Sequence, residues 1–366
     1  MSKFSYLGPL IIAHKNKPVR VKFINNLPTG DAGNLFIPVD HTVMGAGMGP
    51  LGMNAMPMNY TDNRGVIHLH GGLTPWISDG SPHMWTTPAN ENTPYQEGVS
   101  VYNVPDMDGG YEPNGTLTFY YNNKQSARLM FYHDHAWGIT RLNVYAGEAA
   151  GYLLTDEVEN YLIQVTNVTG VNPGLQKVLP DYGTPLIIQD KTFLDNSTIA
   201  TQDPTWNWGN NTTDDLWYPH VYMPTQNNST VPAYLINPFG RWDYAPWFDP
   251  LNFTPTLKYP PVNNTSYDPV NAPWEPPLMP GTPTRPLMEA YMDTPLVNGA
   301  AYSNLTVEPK AYRFRILNAA NDRFWNLQLY NATDNTEVSM IPAEDGRVGG
   351  VPDPQTAGSS FIQIGT

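Results

Sequence analysis

Two tripeptides carry the chemistry open to this chain. His68-Leu69-His70, followed by Gly71-Gly72, and His133-Asp134-His135 together use four of the eight histidines. Val66 and Ile67 lead into the first pair and Leu129 to Tyr132 into the second, so each pair ends an apolar, β-favouring run. Residues i and i+2 of a strand point to one face, and each tripeptide therefore projects two imidazoles side by side from a rigid element. Four such nitrogens converging from two strands are borderline-soft donors, suited to copper, zinc or iron and not to magnesium or calcium. A single His-x-His is more often a surface pair. Two of them, with glycines placed for a sharp turn, favour a metal site.

The elements that must hold these histidines read as strands. Residues 116–121 and 127–135 read as two strands of a hairpin around Asn122-Asn123-Lys124-Gln125. In the second, Ala127, Leu129, Phe131, His133 and His135 share one face, so the apolar side of a packed core runs into the ligands and locks their rotamers. Residues 15–27 alternate apolar Val19, Val21 and Phe23 with Arg20 and Lys22, the pattern of a half-buried strand. Residues 144–156 read as a strand punctuated by Gly147 and Gly151, closing a first unit. Pro185 to Lys191 reads as a buried strand opening a second. Residues 308–320 align with 15–27, setting Lys310, Arg313, Arg315 and Asn318 against Lys17, Arg20, Lys22 and Asn25. This internal repeat suggests two copies of one β-sandwich unit.

Composition removes several function classes. At 366 residues the chain is long enough for two domains with cores of their own. A net charge of −14 without any basic run argues against a nucleic-acid partner. No apolar run approaches the roughly 20 residues of a membrane-spanning helix, and Met1 to Tyr6 do not open a secretory signal, so a soluble chain is expected. The 22 tyrosines and 10 tryptophans, with abundant Asn and Thr and few lysines, lean toward an extracytoplasmic setting. There are no cysteines, which excludes disulfides and any site that needs a thiolate.

The runs His68-Leu69-His70-Gly71-Gly72-Leu73-Thr74-Pro75, Ser78-Asp79-Gly80 and Tyr132-His133-Asp134-His135-Ala136, the last followed by Thr140-Arg141-Leu142-Asn143-Val144-Tyr145-Ala146-Gly147, resemble the multicopper oxidases. The nearest resemblance is to the bacterial branch of spore-coat laccase, bilirubin oxidase and phenoxazinone synthase. It implies an all-β chain of tandem cupredoxin-like Greek-key β-sandwiches, domain one over 1–156 and an incomplete domain two over 157–366. A long irregular insertion over about 203–286, rich in Pro, Trp, Tyr and Asn, is more like the very large members, some of which are associated with manganese oxidation.

The resemblance also implies a trinuclear copper cluster that reduces dioxygen to water, held by eight histidines in four His-x-His motifs. Carried over residue by residue, His68 corresponds to a ligand of the type 2 copper. His70 and His133 correspond to ligands of one type 3 copper, and His135 to a ligand of the other. Asp79 matches an acid near the cluster that could hold or relay protons, and it reads equally well as a turn residue in Ser78-Asp79-Gly80. Asp134 points away from the metals by strand alternation. The reducing substrate, a phenolic compound or a metal ion, is not legible in the sequence.

A type 1 copper requires a cysteine thiolate, so this chain cannot build one. The chain also stops at Thr366 inside what should be the second sandwich. A second polypeptide, made separately or produced by cleavage after Thr366, or else a missing C-terminal part, is therefore expected to supply the Cys-containing domain, two more histidine motifs and the missing strands, a second chain doing so through a large apolar interface. Two other classes stay open: a non-enzymatic copper-binding or assembly subunit and, less favoured, a zinc-dependent hydrolase. The hydrolase would normally add a carboxylate ligand, which neither motif supplies. The remaining histidines, His14, His41, His83 and His220, read as packed or exposed side chains. The loop holding Met44, Met48, Met53, Met56 and Met58 reads as an apolar gap-filler before a soft-metal contact.

Overall fold

The computed structural model describes residues 6–165 apart from 38, 40–44, 52–56 and 103–113. It then describes 170–197 apart from 182 and 194, short pieces between 198 and 292, and 294–365 apart from 322–323, 334–336 and 345–349. Among the described residues, strands far outnumber helices. In order, the strands around the histidines are β1 (Ile11–His14), β2 (Val19–Ile24), β3 (Met48–Leu51), β4 (Pro57–Asn59), β5 (His68–His70), β6 (Thr116–Tyr121), β7 (Arg128–His133), β8 (Ala149–Thr155) and β9 (Thr184–Lys191). Helix α1 spans Thr140–Ala146 and α2 spans Glu157–Gln164.

Strand β2 keeps the alternation of its sequence, with Val19, Val21 and Phe23 half-buried and Arg20, Lys22 and Ile24 exposed. It runs antiparallel to β6, from Val19 opposite Tyr121 to Ile24 opposite Thr116. A separate sheet has the order β1-β8-β7-β5, in which β1 is parallel to β8 and the other pairs are antiparallel. The apolar sides of the two sheets meet. Leu117, Phe119 and Tyr121 of β6 join Leu69, Met130, Tyr152 and Leu154, with Val66, Trp85 and Ala136 closing the cluster and Val19, Val21 and Phe23 packed on it. Phe119, Tyr121, Tyr152 and Leu154 are almost wholly removed from water. Each contributes on the order of 1.5–3 kcal/mol through that burial.

Three local expectations are corrected. First, β6 and β7 form no hairpin, because they lie in different sheets. The loop between them is pinned to the turn after β1: Asn123, at φ 53°, accepts from Asn16 N through its carbonyl and donates Nδ2–H to Lys17 O, both at 2.8 Å. Tyr152 Oη–H also donates to Asn123 Oδ1 at 2.8 Å, so the chain crosses from one layer to the other instead of folding back. Second, Val144 to Ala146 are helical, since Leu142, Tyr145 and Ala146 at helical spacing bury one face of α1. Gly147, at φ 127°, ends the helix and frees the chain to start β8 two residues on. Third, the deep core takes the alternate residues of β7, Met130 with Tyr132 packed against it, while Leu129, Phe131 and His133 stand on the reverse face.

A second four-stranded sheet has the order Ala300–Ala301, Thr294–Val297, β9 and Phe314–Asn318. The expected strand over 185–191 is present one residue longer, as β9. The two repeated segments both contain strands with different pairings: β2 is antiparallel to β6, whereas Phe314–Asn318 is parallel to β9. Helix α2, not anticipated from the sequence, is capped by Asp156, whose Oδ1 accepts from Glu159 N at 2.9 Å. Such a cap contributes about 1 kcal/mol. Buried Glu159 pairs with Arg313 and Arg315, which explains why those two cations sit beside a sheet.

By compactness the chain divides into two units, and both four-stranded sheets belong to the one made of Met1–Leu194, Thr213–Tyr218 and Asp293–Ala319. The other contains short two-residue ladders, such as Tyr222–Met223 with Arg241–Trp242 and Met340–Ile341 with Val351–Pro352. Most of the expected insertion, including Trp206, Trp208, Trp217, Trp247, Trp274 and His220, lies outside the described residues. So do His41 and Met44, Met53 and Met56 of the methionine-rich loop. Among the described residues, no helix is long and apolar enough to cross a membrane.

Candidate metal centre

The pairing of β5 with β7 brings the two motifs together. His68 lies directly opposite His133, and His70 opposite Phe131. With a period of two, His68, His70 and His133 share the reverse face of the sheet. His135 follows two residues past the end of β7. The ring of His68 lies 4.9 Å from that of His135, 5.4 Å from His133 and 5.8 Å from His70. One nitrogen each from His68, His70 and His133 falls within 4.8 Å of the others. The structure thus places all four predicted histidines together, three with converging donor atoms and His135 beside them.

Each ring is held by its surroundings. The Nδ1–H of His68 donates to Asp79 O at 2.6 Å and that of His133 to Asp134 O at 2.6 Å, which fixes both tautomers and leaves Nε2 with its lone pair. Nδ1 of His70 faces Nε2 of His133 at 3.2 Å. Two nitrogens that each bind one ion at about 2 Å stand at this kind of separation. Phe131 stacks on both rings, 4.6 Å from His70 and 5.0 Å from His133.

Burial and the neighbouring histidines favour the neutral form of His70, His133 and His135. Desolvation pushes His133 down to about 4, helped by the neighbouring histidines and opposed by its bond to Asp134 O. Desolvation likewise lowers His70, with His68 adding to it. His135 is lowered by the same main cause, against the pull of its own backbone and of Asp79. Its Nδ1 is buried with no hydrogen-bond partner of acceptable geometry, its own backbone being the nearby group. A buried polar atom left in that state costs about 1–3 kcal/mol, which a bound cation would offset. Imidazole nitrogens as the donors, with no carboxylate in the converging set, fit copper or zinc.

No family model matches the chain. It is 30% identical over 340 residues to a laccase of Bacillus stratosphericus, covering 93% of this chain and 44% of that protein. It is 28% identical over 333 residues to a laccase of Bacillus subtilis (strain 168), covering 90% and 43%. To the multicopper oxidase LPR1 of Arabidopsis thaliana it is 27% identical over 270 residues, covering 74% and 29%. The chain belongs to the multicopper oxidase family. It spans less than half the length of each of these relatives.

Within this multicopper oxidase chain, Asp79 meets the site through its backbone as well as its side chain. It closes the 3-10 turn Trp76–Ser78, with its carbonyl on His68. Its Oδ2 lies 3.7 Å from His68 Nδ1 and its Oδ1 accepts from Thr74 Oγ1 at 3.4 Å. The turn reading and the site reading of Asp79 are therefore compatible. Gly80 follows at φ 68°, and a Cβ there would sit 1.9 Å from Ile67 O, so only glycine lets the turn lie against the strand leading into His68. Gly71 also takes a left-handed conformation, at φ 77°, and makes the turn expected after His70.

Asp134 points to the opposite side from the rings, as strand alternation requires. Its carboxylate is buried and accepts from Val66 N, Ala136 N and Asn143 Nδ2. Sequence reasoning missed Asn143 and the stacking role of Phe131. The only local signal for Asn143 was a polar residue on the buried side of an amphipathic helix. His14 and His83 stay apart from the cluster: Nδ1 of His14 contacts Lys15 O at 3.0 Å and lies 3.9 Å from Glu157, while His83 packs edge-on against Trp137.

Proposed function

We propose that this chain supplies half of the histidine ligands of a trinuclear copper cluster. The protein is read as a laccase-like oxidase coupling one-electron oxidation of a reducing substrate, a phenolic compound or a metal ion, to four-electron reduction of dioxygen to water. The observation that carries the reading is the convergence of one nitrogen each from His68, His70 and His133 within 4.8 Å. The family supports copper over zinc. His68 is assigned to the type 2 ion, His70 and His133 to one type 3 ion, and His135 to the other; the 3.2 Å approach of His70 to His133 supports the shared ion.

Copper, when bound, supplies one-electron redox chemistry toward dioxygen. The chain's own residues do the rest. Asp79 and Asp134 fix two imidazole tautomers through their carbonyls, and Phe131 holds two rings in place by stacking. The Asp79 carboxylate, beside His68 and part-exposed, is assigned the holding and delivery of protons that oxygen reduction consumes.

The absence of cysteine places the type 1 copper outside these 366 residues. In the proposed assembly a partner chain or a further part of the same protein contributes it, with the other two histidine motifs. The division into domain one over 1–156 and domain two over 157–366 and an extracytoplasmic setting belong to the same proposal. The test is copper content and oxygen uptake of the intact protein carrying His68→Ala or His220→Ala. Loss of copper and of oxygen uptake in the first, with both kept in the second, is the expected result. Normal copper content in His68→Ala would overturn the assignment.

A further inference from the structure

Asp134 lies between two assigned ligands, yet its carboxylate is turned away from them and is 2% exposed. Its Oδ1 accepts the N–H of Val66 at 2.9 Å, and its Oδ2 accepts the N–H of Ala136 at 2.9 Å and Nδ2–H of Asn143 at 3.1 Å. Val66 stands two residues before His68, and Ala136 directly follows His135. One side chain is thus bonded to the main chain of both histidine motifs. Its own N–H donates to Glu148 O at 3.0 Å, anchoring the residue to the segment that opens β8.

The position of these bonds matters. Backbone pairing of β5 with β7 ends at His68 opposite His133, so the ladder gives no partner to the buried Val66 N–H. The Asp134 carboxylate takes over where the ladder stops. Three N–H donors meet its two oxygens, and only an ionised carboxylate accepts at both. An asparagine would keep an acceptor on one side and present an N–H to an N–H on the other.

We propose that Asp134 is a positioning residue for the copper ligands: it sets the spacing of the two histidine motifs through its bonds to Val66 and Ala136, with Asn143 orienting the carboxylate. The proposal rests on the copper reading above. Ions held by ligands from both motifs are sensitive to the separation of those motifs, and outer partners of this kind typically change metal affinity about 10- to 100-fold.

The experiment compares intact wild-type protein with Asp134→Asn, Asn143→Ala and His68→Ala. It reads copper affinity against a competing chelator, the electron paramagnetic resonance spectrum of bound Cu(II), and thermal melting of the metal-free form. Asp134→Asn, assayed well below its melting temperature, is expected to bind copper roughly 10- to 100-fold more weakly with a changed spectrum. Asn143→Ala, which leaves both main-chain bonds in place, should show a smaller but measurable loss, about two- to tenfold, with a changed spectrum. A merely structural role would lower melting and leave affinity and spectrum of the folded variant unchanged, and that result overturns the proposal. If Asp134→Asn does not fold, Asn143→Ala decides in the same way, since wild-type affinity and spectrum there also overturn it. His68→Ala separates the two claims. Its loss of copper keeps the copper reading standing whatever Asp134 does, and its normal copper content removes both.

Discussion

Nδ1 of His70 and Nε2 of His133 face each other at 3.2 Å across the edge of one sheet, although 63 residues separate them. With His133 Nδ1–H committed to Asp134 O, the facing Nε2 is a lone pair, and the gap suits one ion shared by both rings. Replacing either ring by alanine should therefore remove the same ion. His70→Ala and His133→Ala are expected to lose matching amounts of copper per chain and to share one spectroscopic defect, measurable by metal analysis and electron paramagnetic resonance. Distinct defects in the two variants would separate their ions.

Asp79 can be tested apart from the metal. Asp79→Asn keeps the carbonyl that holds His68, so copper should stay bound. Oxygen reduction should slow by about 10²-fold or more, with an altered pH-rate profile, as expected when a proton donor is neutralised. An unchanged profile would leave Asp79 as a turn residue only.

The metal-free protein should weaken in mild acid. His133 sits at about 4 in the folded chain, below its ordinary 6.5, chiefly through burial. Between those values the unfolded chain takes up a proton that the folded chain refuses, so stability rises with pH. The contribution is complete above pH 6.5 and is lost as pH falls through 4. Its full size is on the order of 3 kcal/mol. His70 and His135 are shifted in the same direction. Asp134, raised to about 6 by burial, acts with the opposite sign between its ordinary value and 6. The clean measurement is the difference between wild type and His133→Gln in denaturant titrations at pH 7.5 and 4.5. Wild type should lose more stability than the variant, and parallel losses would show that His133 does not carry the pH dependence.

Two glycines near the site give a graded test of the turns. Gly71→Ala meets nothing within 4 Å and bears only the left-handed backbone cost, about 1 kcal/mol. Gly80→Ala adds a collision with Ile67 O and should cost at least about 2 kcal/mol, displacing Asp79 from His68 and lowering copper occupancy. Equal costs in thermal or chemical unfolding would show that the turn after Asp79 has room to relax.

The histidine site was legible because it depends on period-two alternation and short spacing, which a sequence displays directly. His68, His70, His133 and His135 come together through one strand pairing, and β2 and β9 were equally visible. What failed depended on distant partners. The loop after β6 carries hairpin residues, yet Asn123 bonds to the turn after β1, more than 100 residues earlier in the chain. Val144 to Ala146 favour a strand by composition until the burial of Leu142 and Tyr145 on one helical face is counted. Asp134 read correctly as pointing away, but its acceptor role toward Val66 and Asn143 arises only when two strands and a helix are assembled.

Binding of copper by these histidines can be read from anomalous diffraction at the copper and zinc absorption edges, using crystals of the intact protein. A copper peak is expected between Nδ1 of His70 and Nε2 of His133, about 2 Å from each, with further copper beside His68 and His135. Zinc alone at that position, or no metal between the two rings in a copper-replete protein, would contradict it.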